Sequence, residues 1–529
     1  MHAPASAPPF LSALACAPAR RRDLAAAAAG AASALAFEPW ALWPLAPLGL
    51  GLLLLLLAAA PRAGFRLGLA FGLAHFALGL SWIATAFTFQ TAMPAWMGWL
   101  AVFALALFLA LYPALAAFAA GRLAALGGRP GLLPLALFLA GFWVWAEVLR
   151  GLFLTGFPWN PLGAALLGTG GLARLAAILG ANGLSALVVL VAGALAAIAC
   201  RLGGRMRPTG PLLLLAGLAL LDAALRLAAP EPVAGTAAPR ILLVQPGTGI
   251  AEKHDGLEGA LLSVREAAEE TRRALARHPG AAPSAIIWPE ATVPFPLEEL
   301  PDLRRELAGL LPPGTLLLTG GNALERDADG RVRAARNSLY ALSAAGAILA
   351  RYDKAHLVPG GEYLPLRPVT EPLGLARLVP GTVDFLPGPG PVTWRLPGLP
   401  PLAPNICYEI IFPGRVVAPG LRPAAIVTVS NDAWFGPSGP PQHHAQAQLR
   451  AIEEGLPVLR VTPTGLSGLI GPGGERLVTL PRGGAASALV ALPEPRPPTP
   501  FARLGLALPS GAAGLLVAAG LALGVARRT

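Results

Sequence analysis

Apolar positions along this chain fall into two arrangements. Before residue 230 they run almost unbroken over roughly 23–39, 41–60, 64–88, 95–120, 131–149, 172–200 and 211–229, and an eighth block covers about 504–525. A helix that crosses the bilayer core needs about 20 mostly apolar residues, so the pattern predicts seven spanning helices, an interruption, and one more. Inside the interruption the runs shorten. "RILLVQP", "SAIIWPE", "TLLLTGG", "NSLYALS", "LAPNICYE" and "AAIVTVSND" are each bounded by Pro, Gly, Asn or Asp, the punctuation of buried strands. "LEGALLSVREAAEETRRALARH" and "HHAQAQLRAIEEG", the latter ahead of "LPVLRVT", have helical amphipathic spacing. Strand–helix alternation predicts an α/β domain with helices covering its sheets. The expected division is a transmembrane bundle over 1–230, a globular domain over 234–498 and a C-terminal transmembrane helix within 500–529.

Composition agrees with that division. The chain is 55% apolar and only 13% charged, against about 25% charged in soluble domains. Its net charge of +11 does not point to nucleic acid, because the arginines sit in short clusters between apolar runs, with no basic helix or aromatic platform beside them. Basic residues mark cytoplasmic loops. "RRR" at 20–22, "PRAGFR", "GRLAALGGRPG" and "RLGGRMRP" alternate with loops poor in basic residues, and the chain ends in "ARRT". The stretch "LAAAAAGAASALAF" has the look of a signal-peptide core, but as an uncleaved span it keeps the loop charges in phase. Eight spans then leave both termini in the cytoplasm and 234–498 outside it.

Chemistry concentrates at strand ends, where α/β folds gather their catalytic groups. Glu290 follows "AIIWP", Cys407 follows "APNI", Asn431 and Asp432 follow "IVTVS", and Lys354 follows "GAILARYD". Cys407 has no partner within its domain, since Cys16 and Cys200 belong to the membrane region; an unpaired thiol outside the cytoplasm is reactive, bridged to another chain, or a small buried hydrophobe. The chain has two lysines, Lys253 and Lys354, against 38 arginines (40 minus two). A position that keeps lysine in such a chain fits a compact ammonium in a cramped site. Tyr352, Tyr363 and Tyr408, three of five tyrosines, lie within two residues of Lys354, Glu362 or Cys407. A thiol needs a base or nearby positive charge to attack at neutral pH, and Glu290 and Lys354 supply the two types. Other chemistries lack their marks. "GLSG" at 465–468 is not the G-x-S-x-G elbow, and His443–His444 lack the spacing of a zinc helix. Glu453–Glu454 read as a solvated helix face. Glu147 reads as either functional or interfacial.

"WPEATVPF", "YDKAHLVPGGEYLP", "NICYEIIFP" and "SNDAWFG", in this order, resemble the Glu–Lys–Cys pattern of the nitrilase superfamily. Flanked by membrane spans and accompanied by "GFPWNPLG", they look like the apolipoprotein N-acyltransferase family over nearly the whole chain. The resemblance implies an αββα sandwich set on the outer, periplasmic face of the bacterial inner membrane. It implies Glu290 as general base, Lys354 as transition-state stabiliser and Cys407 as nucleophile, with Glu362 and Glu409 ordering the site and the Tyr408 N–H as oxyanion donor. Its substrates would be a phospholipid acyl donor and a diacylglyceryl-apolipoprotein acceptor; no metal or organic cofactor is implied. Trp434, Phe435, Tyr363, His254 and Trp159 are candidate lipid contacts. Three positions depart from the family pattern: His254 where a tryptophan is expected, Gly360 for phenylalanine and Pro463 for asparagine. A membrane-tethered amidase would share the acyl-cysteine intermediate, and a ligand-binding sensor would need no triad at all.

Overall fold

The computed structural model describes residues 9–89, 93–126, 131–202, 209–249, 256–373, 376–378 and 383–525. The chain divides into two compact units, one formed by residues 1–81, 99–229 and 503–529, the other by 82–98 and 230–502.

The first unit is helical: α1 (Ala19–Ala34), α2 (Leu45–Ala59), α3 (Gly64–Gly79), α4 (Met97–Leu126), α5 (Leu132–Arg150), α6 (Ala176–Leu202), α7 (Thr209–Leu227) and, after the second unit, α10 (Ala507–Val525). Among the described residues, α4, α5, α6 with the turn before it, α7 and α10 are long and apolar enough to cross a membrane; α2 and α3, bent by 119°, add a sixth if they form one span. The eight expected spans therefore include three short helices of 15 or 16 residues. Their shortness has local causes. Pro61 opens a 3₁₀ turn that ends α2, and the arginines of α1 occupy its first turn. Close approach compensates for length: a Cβ on Gly30 would meet the Phe71 carbonyl oxygen at 2.0 Å, so only glycine lets α1 and α3 touch there.

A buried carboxylate gathers several polar groups inside this unit. Glu147, 6% exposed, is not interfacial. Its Oε1 accepts from Trp143 Nε1 (3.1 Å) and the Leu162 N–H (2.8 Å), and its Oε2 from Ser185 Oγ (2.6 Å) and Asn182 Nδ2 (3.4 Å). Arg150 Nη1 donates to the Trp159 carbonyl at 2.8 Å. Trp159 is itself buried and stacks on Phe157, so packing within the helical unit, not lipid access, accounts for it. Glu147→Leu leaves these donors without an acceptor where water is scarce, at about 1–3 kcal/mol for each group left unpaired. The expected result is a lowered unfolding midpoint in detergent, read by thermal denaturation.

The second unit contains two sheets. The first has the order β12–β1–β2–β4–β5–β6, with β3 also paired to β4. Its strands are β1 (Arg240–Gln245), β2 (Ala285–Ile287), β3 (Val293–Pro296), β4 (Leu316–Arg326), β5 (Val332–Leu342), β6 (Ile348–Asp353) and β12 (Ala486–Ala491). The other runs β11–β10–β9–β8–β7, from β7 (Leu402–Ile406), β8 (Ala425–Val429), β9 (Val458–Val461), β10 (Gly468–Ile470) and β11 (Arg476–Thr479). Strand alternation divides the side chains between two cores. Ile241, Leu243, Ile287, Leu318 and Leu339 meet Ile406, Val427, Val429, Leu459 and Val461 between the sheets. Their neighbours Leu242, Val244, Ile286, Leu317 and Tyr340 face a helical layer that includes Ala267, Ala268 and Ala274 of α8 (Gly256–Arg277).

The helix after β8, α9 (Gly439–Glu454), is buried along its whole length. This corrects the solvated reading of Glu453–Glu454. Glu453 is fully buried in a pair with Arg450 (2.9 Å), and the Glu454 carbonyl accepts from Arg422 Nη2 at 2.7 Å. The charge pattern of the helix satisfies buried partners instead of water, a distinction that amphipathic spacing alone does not carry.

Candidate active site

Each proposed catalytic side chain sits where a strand stops. Lys354 directly follows β6, Cys407 directly follows β7, and Glu290 lies three residues beyond β2. Ile406 is still extended (φ −119°, ψ 112°); Cys407 then turns left-handed, with φ +53°, and a 3₁₀ turn runs through Ile411. A non-glycine residue in that region costs about 1–3 kcal/mol and persists only where its surroundings hold it. Glu409 Oε2 accepts the Ile406 N–H at 2.7 Å on one side of the elbow, and His443 Nε2 lies 3.1 Å from the Cys407 carbonyl on the other. The strand end is thereby bent into a held elbow that presents a thiol.

Glu290, Lys354 and Glu362 meet in one buried cluster. Lys354 Nζ donates to Glu362 Oε1 at 3.0 Å and lies 3.4 Å from Glu290 Oε1. Asn337, on β5, bridges the same two carboxylates through its Nδ2, at 2.8 Å from Glu290 and 2.9 Å from Glu362. The second oxygen of Glu290 accepts the Asn431 N–H (2.7 Å), and that of Glu362 the Val358 N–H (2.8 Å). Each oxygen of the two carboxylates therefore has a donor, which holds both side chains.

The thiol belongs to the same electrostatic group. Burial, followed by the Glu290 carboxylate, pushes Cys407 above its ordinary value; Lys354 and a hydrogen bond with Ser430 pull the other way. Burial would lower the Lys354 ammonium, but Glu362, Glu290 and Cys407 override it and hold the group charged. Cys407 at rest is consequently a neutral thiol beside a fixed cation. A raised value means less thiolate at any given pH, so the iodoacetamide alkylation rate of Cys407 is expected to keep climbing above pH 9. An ordinary thiol levels off after its midpoint near 8.5; a plateau of Cys407 below pH 9 in a mass-resolved rate profile would contradict this.

Glu409 serves a different purpose from its charge. Its Oε1 accepts from Tyr352 Oη (2.7 Å), the Ala355 N–H (2.7 Å) and the His356 N–H (3.2 Å), tying the segment that carries Lys354 to the cysteine elbow. Burial raises its carboxyl despite these donors. Tyr408 is buried beside Phe412 in an edge-on contact at 5.2 Å.

Phe435 and Trp434 lie in a turn after β8 that packs on the early segment 82–98 of the same unit. Trp82 packs tilted against Phe435 at 4.8 Å, and Phe89 meets Trp434 edge-on at 5.9 Å. Tyr363 is half-buried, and its carbonyl accepts the Gly360 N–H at 2.9 Å. Gly360 has φ +73°, which accounts for glycine in place of phenylalanine, and the Pro463 carbonyl accepts the Gly247 N–H at 2.9 Å. His254 lies outside the described residues. Among the described residues no group of three or more His, Cys, Asp or Glu is arranged to hold a metal.

The sequence reading passed over four of these groups: Asn337, Ser430, His443 as a neighbour of the elbow, and Arg460. Arg460, centred in the apolar strand β9 and fully buried, was the available signal, because an arginine so placed requires an anionic partner. That partner is Asp432, whose carboxyl is held low, against its own burial, by Arg460 and His443.

Comparison with known proteins matches this architecture over both parts of the chain. The family model described as apolipoprotein N-acyltransferase N-terminal domain matches residues 29–194, and the carbon-nitrogen hydrolase model matches residues 243–493. The apolipoprotein N-acyltransferase of Allorhizobium ampelinum is 38% identical over 479 residues, covering 85% of this chain and 86% of the relative. Those of Rhodopseudomonas palustris and Bradyrhizobium diazoefficiens are each 36% identical, covering 92% and 96% of this chain and 92% and 95% of their own. Among solved structures, an amidase from Nesterenkonia sp. AN1 is similar at a TM-score of 0.34 and 15% identity, over 52% of this chain and 96% of its own. Membrane helices, a two-sheet domain with a buried Glu–Lys–Cys cluster, and full-length relatives agree: the chain belongs to the apolipoprotein N-acyltransferase family.

Proposed function

We infer that the chain moves an acyl group from a membrane phospholipid to the N-terminal amine of diacylglyceryl-cysteine on an apolipoprotein, through a thioester on Cys407. The observations that carry this reading are a buried thiol at a left-handed strand-end elbow and a buried Glu290–Lys354 pair whose charges act on it, in a chain whose relatives bear that name.

In the first half-reaction Glu290 takes the thiol proton as Sγ attacks the ester carbonyl of the phospholipid. The negative charge that develops on the carbonyl oxygen is stabilised by the Lys354 ammonium and the Tyr408 N–H, groups whose charge or dipole is already oriented. The C–O bond breaks, the lysophospholipid alkoxide leaves with the proton from Glu290, and the thioester remains. In the second half-reaction the acceptor amine attacks that carbonyl, Glu290 takes the amine proton, the C–S bond breaks, and the thiolate recovers a proton. Atoms and charges balance without a cofactor.

Each buried CH₂ contributes about 0.8 kcal/mol to membrane retention, so neither acylated substrate leaves the bilayer readily. A catalytic unit in the same chain as spanning helices is tethered to the bilayer in which both substrates reside. The loop arginines support a catalytic unit on the periplasmic side of the inner membrane with cytoplasmic termini. The half-buried Trp434, Phe435 and Tyr363, with His254, are the proposed lipid contacts.

Intact-mass analysis after incubation with phospholipid tests the reading. A hydroxylamine-sensitive acyl adduct is expected on the native protein and not on Cys407→Ala. Adding a diacylated peptide with a free N-terminus should discharge the adduct into a triacylated product. Release of free fatty acid instead would identify an amidase-like hydrolase.

A further inference from the structure

Behind the cysteine elbow lies a second polar cluster that the reaction above does not use. His443, Asp432 and Arg460 are fully buried. His443 Nδ1 faces Asp432 Oδ1 at 2.9 Å and Arg460 Nη2 at 3.2 Å. Arg460 also pairs with Asp432, which in turn accepts from Ser430 Oγ. The ring is braced by Phe435 at 5.4 Å. Its other nitrogen, Nε2, lies 3.1 Å from the carbonyl oxygen of Cys407.

A carbonyl only accepts, so Nε2 carries the hydrogen. Nδ1 has an acceptor on one side and a donor on the other, so the Nε2–H contact is kept whether or not Nδ1 is protonated. The carbonyl it grips belongs to the peptide unit that joins Cys407 to Tyr408. That unit is planar and trans, so its N–H points opposite to its C=O. A hydrogen bond that fixes the carbonyl from behind therefore fixes the direction of the Tyr408 N–H in front.

We propose that His443, braced by Asp432 and Arg460, is the positioning residue of the oxyanion donor: by holding the Cys407 carbonyl it aims the Tyr408 N–H at the acyl oxygen. The proposal rests on the reading of Cys407 as nucleophile. It explains why a left-handed residue is gripped at its carbonyl. It also explains why an arginine and an aspartate are buried beside a fully buried histidine. The elbow's own bond from Glu409 holds the Asn405–Ile406 peptide, two units earlier, whereas His443 is the side chain that grips the Cys407–Tyr408 plane itself.

Two reactions of the same sulfur separate this role from a merely structural one. Thioester formation passes through an oxyanion, whereas alkylation by iodoacetamide does not. His443→Ala is expected to slow single-turnover acylation of Cys407 by phospholipid about 10²–10³-fold, the usual cost of one lost oxyanion donor. Apparent KM and the alkylation rate should stay within about threefold of the native protein. His443→Gln, whose amide N–H replaces Nε2–H, should recover most of the acylation rate. Native acylation by His443→Ala, or equal losses in acylation and alkylation, overturns the proposal. If the alanine variant does not fold, His443→Gln against His443→Leu decides, and equal acylation by the two overturns it. Failure of the underlying reading looks different: the native protein itself then forms no adduct at Cys407.

Discussion

Glu290→Gln is expected to lower the rate of acyl-Cys407 formation by about 10²–10⁴, the range for loss of a general base. The substitution is isosteric, so the loss does not come from a cavity. Both Glu290 oxygens accept from donors: Oε1 from Asn337 with Lys354 nearby, Oε2 from the Asn431 N–H. A glutamine presents its NH₂ to one of these sets and cannot satisfy both. It also cannot take the Cys407 proton, and burial leaves that thiol protonated at rest. Raising the pH is therefore expected to restore part of the lost rate, because hydroxide removes the proton that Glu290 no longer accepts. Single-turnover mass spectrometry from pH 7 to 10 measures this; a glutamine variant that acylates at the native rate at pH 7 would remove Glu290 from the base role.

Lys354→Met is expected to abolish acylation and destabilise the second unit together. Removing one partner of a buried ion pair costs about 3–5 kcal/mol because the remaining charge is left uncompensated. Here two carboxylates, Glu290 and Glu362, lose their shared cation. Lys354→Arg should not rescue activity: the planar guanidinium does not fit a site where the native ammonium is 1% exposed and already in contact with both acids. The sign of the pH dependence follows from the direction of the shift. The Lys354 value is raised on folding, so its stabilising contribution is complete below the unfolded lysine value near 10.4 and is lost only as pH rises through the higher folded value. The gap between native and variant unfolding midpoints should thus be constant from about pH 7 to 9. A gap that closes within that window would count against a charged Lys354.

Much of this site was legible in the sequence because its members break local rules. Lys354 stands out in an arginine-rich chain, Cys407 has no partner in its domain, and Glu290 ends a run of buried hydrophobes. Strand ends were legible too: "SAIIWPE" and "LAPNICYE" became β2 and β7 at the expected places. Asn337 carried no such mark. It lies inside a strand pattern, is uncharged, and acquires its role only through register, since the β5 position it occupies faces Glu290 and Glu362. Glu453 was misread for the complementary reason: helical spacing reports which face is charged, not whether a second layer covers that face. The blocks 41–60 and 64–88 were overextended against α2 and α3, and 23–39 was displaced from α1, because continuous apolar composition hides where a helix starts and stops.

Residues 82–98 are made early, between two hydrophobic blocks, yet they belong to the compact unit whose remainder begins at 230. Trp82 and Phe89 cover Phe435 and Trp434, and the Ala376 N–H meets Met93 Sδ at 3.5 Å. During synthesis this segment must therefore wait, unpartnered, while more helices enter the membrane and most of the two-sheet unit is translated. A fragment cut at residue 230 would carry every proposed catalytic side chain and still lack this piece of its own domain, with the aromatic turn after β8 laid bare. The second unit is thus discontinuous in sequence, completed by a segment that the chain places between two helices of the first.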